Sequence, residues 1–197
     1  MYSQRDEEKV ILELLEGKVG MLLDIGAYDG KTFSNTRALL ESGWEGVMVE
    51  ASPHSFVGLV ENTRGLNAKL VLATVVPVRT TALELLFNSP DAVSTTDEDH
   101  RKKWEKVANY VPIWSSVVGV PELLASFTWG YDFISLDVEG LTIEILRALL
   151  KWLPTRGGLP EVMCIEVDCP ETLDLCVKAG YKLVHTTAEN IIVRRLK

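Results

Sequence analysis

Asp24, Gly26, Ala27, Tyr28 and Gly30 form a tight group early in the chain, and Glu50, Ala51 and Ser52 begin twenty positions after Gly30. Each group closes an apolar run, Leu22-Leu23 before Asp24 and Val47-Met48-Val49 before Glu50. An apolar strand that enters a glycine turn, then a helix, then a second apolar strand ending in a carboxylate is the opening half of a nucleotide-type site on an open sheet. Tyr28 argues against a dinucleotide. The pyrophosphate fingerprint places a glycine there so that backbone can approach the phosphates, and a phenol would crowd them. An NAD-linked oxidoreductase is therefore disfavoured, and no G-x-x-x-x-G-K-[ST] run offers a triphosphate site. Asp24 would repel an anion and suits a cation. S-adenosylmethionine meets these conditions. It carries a sulfonium and an ammonium, has no phosphate, and has a ribose diol that Glu50 could hold by two charge-assisted hydrogen bonds. Its carboxylate would face the amides of a helix expected just after Gly30. The plain alternative is a tight turn with Glu50 at a solvated strand end.

The elements that must position these residues follow from pattern. Val10, Ile11, Leu14 and Leu15 recur at helical spacing, and strands are expected over 20–25 and 46–51. A helix is expected over 32–41, stopped by Ser42-Gly43, and another from Ser52-Pro53, a cap followed by proline in the first turn. A third strand is expected over 69–76. From 77 to 127 the strand-helix rhythm fails, with short strands at 83–87 and 111–118 around a polar, turn-rich stretch. Excursions of that length usually serve function, so this one reads as a substrate-facing insert lined by Thr95, Thr96, His100, Trp104 and Trp114. Alternation returns with a strand over 132–137 and a helix carrying Ile143, Leu146, Leu149 and Leu150. A strand over 161–167, a helix over 170–179 and a closing strand pair at 181–186 and 191–195 complete an α/β chain.

In an open α/β sheet, ligands bind beyond the carboxyl ends of the strands. Asp24, Glu50, Asp137, Glu139, Glu166 and Asp168 all fall at or just past such ends. Like charges gathered on one rim are destabilising unless a cation or hydrogen bonds compensate. Asp137 and Glu139, ahead of the turn residue Gly140, are placed to orient or deprotonate an acceptor hydroxyl, or else to cap the following helix and complement its dipole.

A length of 197 residues suits one domain spanning 1–197. The apolar stretch over 71–78 is broken by Thr74 and Pro77, so no membrane span is expected, and the polar, acidic start lacks a secretory pattern. A cytoplasmic setting follows. The formal charge of −8 disfavours a nucleic-acid partner. Cys164, Cys169 and Cys176 have no zinc spacing and read as reduced and structural, and no metal ligand set is expected.

Three motifs resemble the FkbM family of S-adenosylmethionine-dependent methyltransferases. They are Leu23-Asp24-Ile25-Gly26-Ala27-Tyr28-Asp29-Gly30, Val49-Glu50-Ala51-Ser52-Pro53 and Phe133-Ile134-Ser135-Leu136-Asp137-Val138-Glu139-Gly140. Gly180-Tyr181-Lys182-Leu183-Val184 with Asn190-Ile191-Ile192-Val193-Arg194 resembles the family's last hairpin. The resemblance implies a Rossmann-like class I methyltransferase sheet of seven strands, mostly parallel with the last antiparallel, and helices on both faces. It implies O-methylation of a hydroxyl on a sugar, glycan or small natural product. Asp24, Gly26 and Gly30 would shape the methionine end of the cofactor site, with Ala27, Tyr28, Ala51 and Ser52 beside it. Glu50 would bind ribose, and Asp137 and Glu139 would flank the transferred methyl. The chain departs from the family at Tyr28, usually Asn, at Ala51, usually Pro, and at Thr142, usually an acid. The last departure is the one feature that favours a non-catalytic binding or scaffolding module of the same fold.

Overall fold

The computed structural model describes residues 1–127, 130–167 and 169–196. Strands β1 (Met21–Ile25), β2 (Glu45–Glu50) and β3 (Ala68–Leu72) run parallel in that neighbour order. The chain then builds a separate three-stranded sheet from β4 (Thr74–Val76), β5 (Leu83–Asn88) and β6 (Val111–Gly119), and returns to pair β7 (Phe133–Leu136) with the free side of β1. Beyond it lie β8 (Val162–Glu166), β9 (Tyr181–Thr186) and β10 (Asn190–Arg195), and β10 inserts antiparallel between β8 and β9. The seven-stranded order β3-β2-β1-β7-β8-β10-β9 is that of the class I methyltransferase sheet expected from the motifs. The strand order reverses between β1 and β7, which opens a crevice at their carboxyl ends.

Alternation along each strand divides the core in two. Met21, Leu23, Ile25, Ile134, Leu136, Met163 and Ile165 point to the face covered by α5 (Val120–Ala125), α6 (Thr142–Trp152) and α7 (Glu171–Lys178). Leu22, Met48, Phe133, Val162 and Cys164 point to the face covered by α1 (Glu7–Leu14), α2 (Arg37–Glu41) and α3 (Pro53–Asn62). Period-2 burial on two faces is what a sheet sandwiched between helices demands. The cysteines are all free, with Cys164 and Cys176 buried in these layers.

Three sequence expectations need correction. The helix expected over 32–41 forms only from Arg37, because the Asp29 carboxylate accepts from the Lys31 amide at 2.8 Å and from the Thr32 amide at 2.6 Å. A side chain that captures backbone donors in this way holds a turn and competes with the helix. The strand expected over 69–76 breaks at Ala73, the last residue to bond β2, and β4 then leaves for the second sheet and pairs with β6. The insert also holds two helices that the pattern did not show, α4 (Glu98–Trp104) and α5.

Gly26 fixes the crevice. It takes φ +89°, and a β-carbon on it would come within 1.6 Å of the Asp137 carbonyl oxygen. The need for glycine is set by the end of β7 and not by a ligand. Gly26→Ala is expected to cost more than roughly 3 kcal/mol, since strain and overlap act together. Urea unfolding measures this, and wild-type stability would show that the β7 end moves freely.

Candidate active site

The crevice is a cavity of about 540 Å³ whose wall includes Asp24, Glu50, Asp137, Glu139 and Glu166. Five of the six rim acids expected from sequence therefore meet in one space, and Asp168 lies outside the described residues. Each acid has its own local support. Asp24 is 4% exposed, accepts from Thr36 Oγ1 at 2.6 Å and is also bonded by Ser135, so it ties the 31–36 loop to the sheet. Glu50, at the end of β2, accepts from the Tyr28 amide at 2.8 Å through Oε2 and from the Ser52 amide at 2.7 Å through Oε1. A carboxylate has about four lone-pair sites, so each Glu50 oxygen keeps acceptor capacity toward the cavity. Glu166 accepts from Thr142 Oγ1 at 2.9 Å and from the Glu139 amide at 3.3 Å. Glu139 sits 2.6 Å from His100 Nε2.

Burial pushes the Asp24 carboxyl up to about 6, partly offset by its Thr36 and Ser135 bonds. Burial likewise raises Glu50 to about 7 against the opposing pull of its backbone donors. Asp137 is raised well above the usual carboxylate range, first by burial, then by Glu166 and Glu139, and by a hydrogen bond shared with Glu166. Asp137, Glu139 and Glu166 place one oxygen each within 4.8 Å of the others. That spacing suits a shared proton, and a divalent cation could also bridge it.

Other expected residues divide. Gly26, Ala27, Tyr28 and Ala51 line the cavity. Gly30 packs behind it against Leu59, and Ser52 is fully buried, with its Oγ capping α3 at the Ser55 amide and donating to Asn88 at 2.6 Å. From the insert, Thr95, Thr96 and Trp104 line the cavity. Trp114 does not. It is 68% exposed on the outer face of the three-stranded sheet, opposite Leu85, which corrects its expected lining role. His100 lies behind Glu139 in an outer groove. The expected helix N-terminus after Gly30 is also absent, since the Lys31 and Thr32 amides already serve Asp29.

Sequence reasoning missed Asn35, Ser55, Thr74 and Glu189. Asn35 Oδ1, Ser55 Oγ, Thr74 Oγ1, Trp104 Nε1 and Glu189 Oε2 are buried and have no hydrogen-bond partner among the described residues, and all five residues line the cavity. Such groups cost free energy until a partner arrives. They form a mixed set of donors and acceptors, which fits a ligand bearing hydroxyl, amine and ring nitrogen groups. No pattern in the sequence singles them out, because only the fold brings them to one wall.

The crevice, the strand order and the acids at the ends of β1 and β2 define a methyltransferase fold, and methyltransferases are what the solved structures of similar shape include. The chain aligns with monomeric WbdD at TM-score 0.56 and 12% identity, over 98% of this chain and 41% of that one. It aligns with precorrin-6y C5,15-methyltransferase of Geobacter metallireducens at TM-score 0.54 and 15% identity, over 95% and 87%. A third is precorrin 8w decarboxylase of Methanobacterium thermoautotrophicum, at TM-score 0.54 and 14% identity, over 100% and 92%. At such identities the likeness describes the fold, and the chain spans well under half of WbdD. No curated protein sequence matches the chain. Residues 24–182 match the methyltransferase FkbM domain, so the chain belongs to that family, as the three motifs suggested. Membership implies a methyl donor. No helix among the described residues is long and apolar enough to cross a membrane.

The two raised carboxyls make stability depend on pH with a definite sign. A carboxyl whose folded value lies above its ordinary value near 4 stabilises the fold while protonated, and that contribution is lost as pH rises through the folded value. The ligand-free protein should therefore lose thermal stability between about pH 5 and 7, the upper limits being Asp24 near 6 and Glu50 near 7. Carboxyls held low, such as Glu7 and Glu161, act in more acid solution and do not overlap this window. Scanning calorimetry is expected to show a falling midpoint that flattens in Glu50→Gln; a midpoint that climbs across the window would mean these acids are not buried as described.

Proposed function

We propose that the chain is an S-adenosylmethionine-dependent O-methyltransferase whose acceptor is a hydroxyl on a sugar, a glycan or a small natural product. The observation that carries this reading is Glu50, held by two backbone amides with acceptor capacity left toward a cavity rich in carboxylates. A ribose diol satisfies that geometry, and a positive sulfur relieves the crowding of acids. A phosphorylated ligand would meet only further repulsion, because the loop amides that might have cradled it serve Asp29.

When bound, S-adenosylmethionine supplies an electrophilic methyl group on sulfur. The chain's own residues then have separate tasks. Glu50 fixes the ribose, while Ala27, Tyr28 and Ala51 form the wall beside it. Asp137, whose carboxyl is raised and hydrogen-bonded to Glu166, keeps lone pairs that can accept from the acceptor hydroxyl and so orient it. Glu139 faces the cavity as the group that takes the acceptor's proton. Alignment supplies the larger share, up to about 7 to 11 kcal/mol, and a general base about 100-fold to 10,000-fold. The insert, through Thr95, Thr96 and Trp104, supplies the acceptor side of the cavity and keeps water out. This reading sets the chain in the cytoplasm with a small-molecule or glycan partner and neither nucleic acid nor membrane.

A non-catalytic module has less in its favour than Thr142 alone suggested. Thr142 donates to Glu166, so the space beside the catalytic turn still holds a carboxylate, contributed by β8.

Two measurements test the proposal. By calorimetric titration with S-adenosylhomocysteine, Glu50→Ala should weaken binding at least about tenfold, the loss of one charge-assisted bond, and Asp137→Asn should change it less than about threefold. Equal affinity in Glu50→Ala would remove that residue from the site. Radiolabelled methyl transfer to a mixed panel of methyl glycosides and small alcohols should give labelled ether; donor binding with no labelled product would favour the module.

A further inference from the structure

We propose that His100 is a positioning residue that acts through Glu139, holding its carboxylate toward the inner cavity from the groove outside it. The inference rests on the reading of Glu139 as the group that takes the acceptor's proton. The insert grips the strand-end turn at three points. Thr95 Oγ1 donates to the Glu139 carbonyl at 2.6 Å, and His100 Nε2 lies 2.6 Å from Glu139 Oε2, a close ion-pair approach and not an aligned hydrogen bond. At the third, a β-carbon on Gly140 would meet Asp97 Cβ at 3.0 Å and His100 Cβ at 3.2 Å, so the start of α4 rests on bare backbone. Asp97 caps α4 by accepting from the His100 amide at 2.6 Å, which fixes the base of the imidazole. The imidazole side chain is only 9% exposed, with its ring 6.5 Å from that of Trp104. Glu139 itself is held at φ +51°, a left-handed conformation costly for a residue with a side chain. A lid that merely closed would need none of this alignment.

The two partners face different spaces. Glu139 lines the inner cavity and His100 does not; His100 lines an outer groove of about 410 Å³ with Asp97, Asp99, Lys103, Glu144 and Glu166. A carboxylate crowded by Asp137 and Glu166 needs a partner on its other side to fix its direction, and His100 is placed there. As the acceptor oxygen forms its bond to the methyl carbon and the carbon–sulfur bond breaks, the hydroxyl proton moves to Glu139. His100, outside the cavity, holds the Glu139 carboxylate toward that hydroxyl, and Glu139 keeps the proton until the products leave.

The pairing can be read without any acceptor, because the chain has only His54, His100 and His185. Nitrogen-15 NMR should show the His100 Nε2 signal shifted in Glu139→Gln, with His54 and His185 unmoved; an unmoved His100 signal overturns the pairing. For turnover, the probe is single-turnover methyl transfer from radiolabelled S-adenosylmethionine to the mixed methyl glycoside panel. His100→Gln should bind S-adenosylhomocysteine as the wild type does and transfer methyl at least about tenfold more slowly. Added imidazole should restore part of the rate in His100→Ala, a recovery that loss of packing alone would not give. His185→Gln, which alters a surface pair with Asp6, should leave the rate unchanged. A wild-type rate in His100→Gln, or no recovery with imidazole, overturns the inference. Full turnover in Glu139→Gln would instead overturn the reading of Glu139 on which it rests.

Discussion

Burial of carboxylates, compounded by their mutual repulsion, governs this crevice. Five acids from four strand ends line one cavity, and in a space partly closed to water such charges interact far more strongly than at the surface. The fold answers with a different device at each. Asp24 leans on two hydroxyls, Glu50 on two backbone amides, Asp137 on a hydrogen bond shared with Glu166, Glu139 on an imidazole, and Glu166 on the Thr142 hydroxyl. None of these supports removes a carboxylate from the wall. A site that keeps five acids on one wall, each steadied by a neighbour, suits a ligand that carries positive charge.

The same repulsion gives Thr142 a physical meaning. It starts α6 and is fully buried, and its hydroxyl reaches Glu166, which also takes the Glu139 amide. An acid at that position would add another negative charge within reach of Glu166 and Asp137. A threonine gives instead a donor that stabilises the charge already present. The departure from the family pattern therefore coincides with a rim that already has a carboxylate on β8.

Much of this was legible in the sequence, for identifiable reasons. Strand ends could be found because apolar runs stop abruptly at acids, as at Ile25, Glu50 and Leu136, and those ends fix where ligands bind in an open sheet. What escaped were features that depend on one side chain capturing nearby backbone, or on pairing with a distant strand. Asp29 consumes the amides that would have begun a helix at Thr32, and β4 leaves after Ala73 to pair with β6, far along the chain. Neither event leaves a periodicity to detect. Trp114 shows the opposite failure. Its size suggested a lining role, but on a strand the choice of face depends on register, and pairing with Leu85 turns it outward.

Strain supplies an independent pointer to the same place. The non-glycine residues with positive φ among those described are Tyr28, Phe33 and Glu139, and all three line the cavity. Each such conformation costs of order 1 to 3 kcal/mol and persists only where its surroundings impose it. At Tyr28 the constraint is visible, because its amide must reach Glu50; at Glu139 it is the grip of Thr95 and His100. At Phe33 it is a bridge to Ser3, which brings the N-terminal segment to the cavity edge. Three separate parts of the chain, the turn after β1, the segment before α2 and the turn after β7, thus adopt costly backbone around one space. Packing alone does not call for that, since glycine at any of these positions would relieve the strain, and the side chains retained there face the cavity.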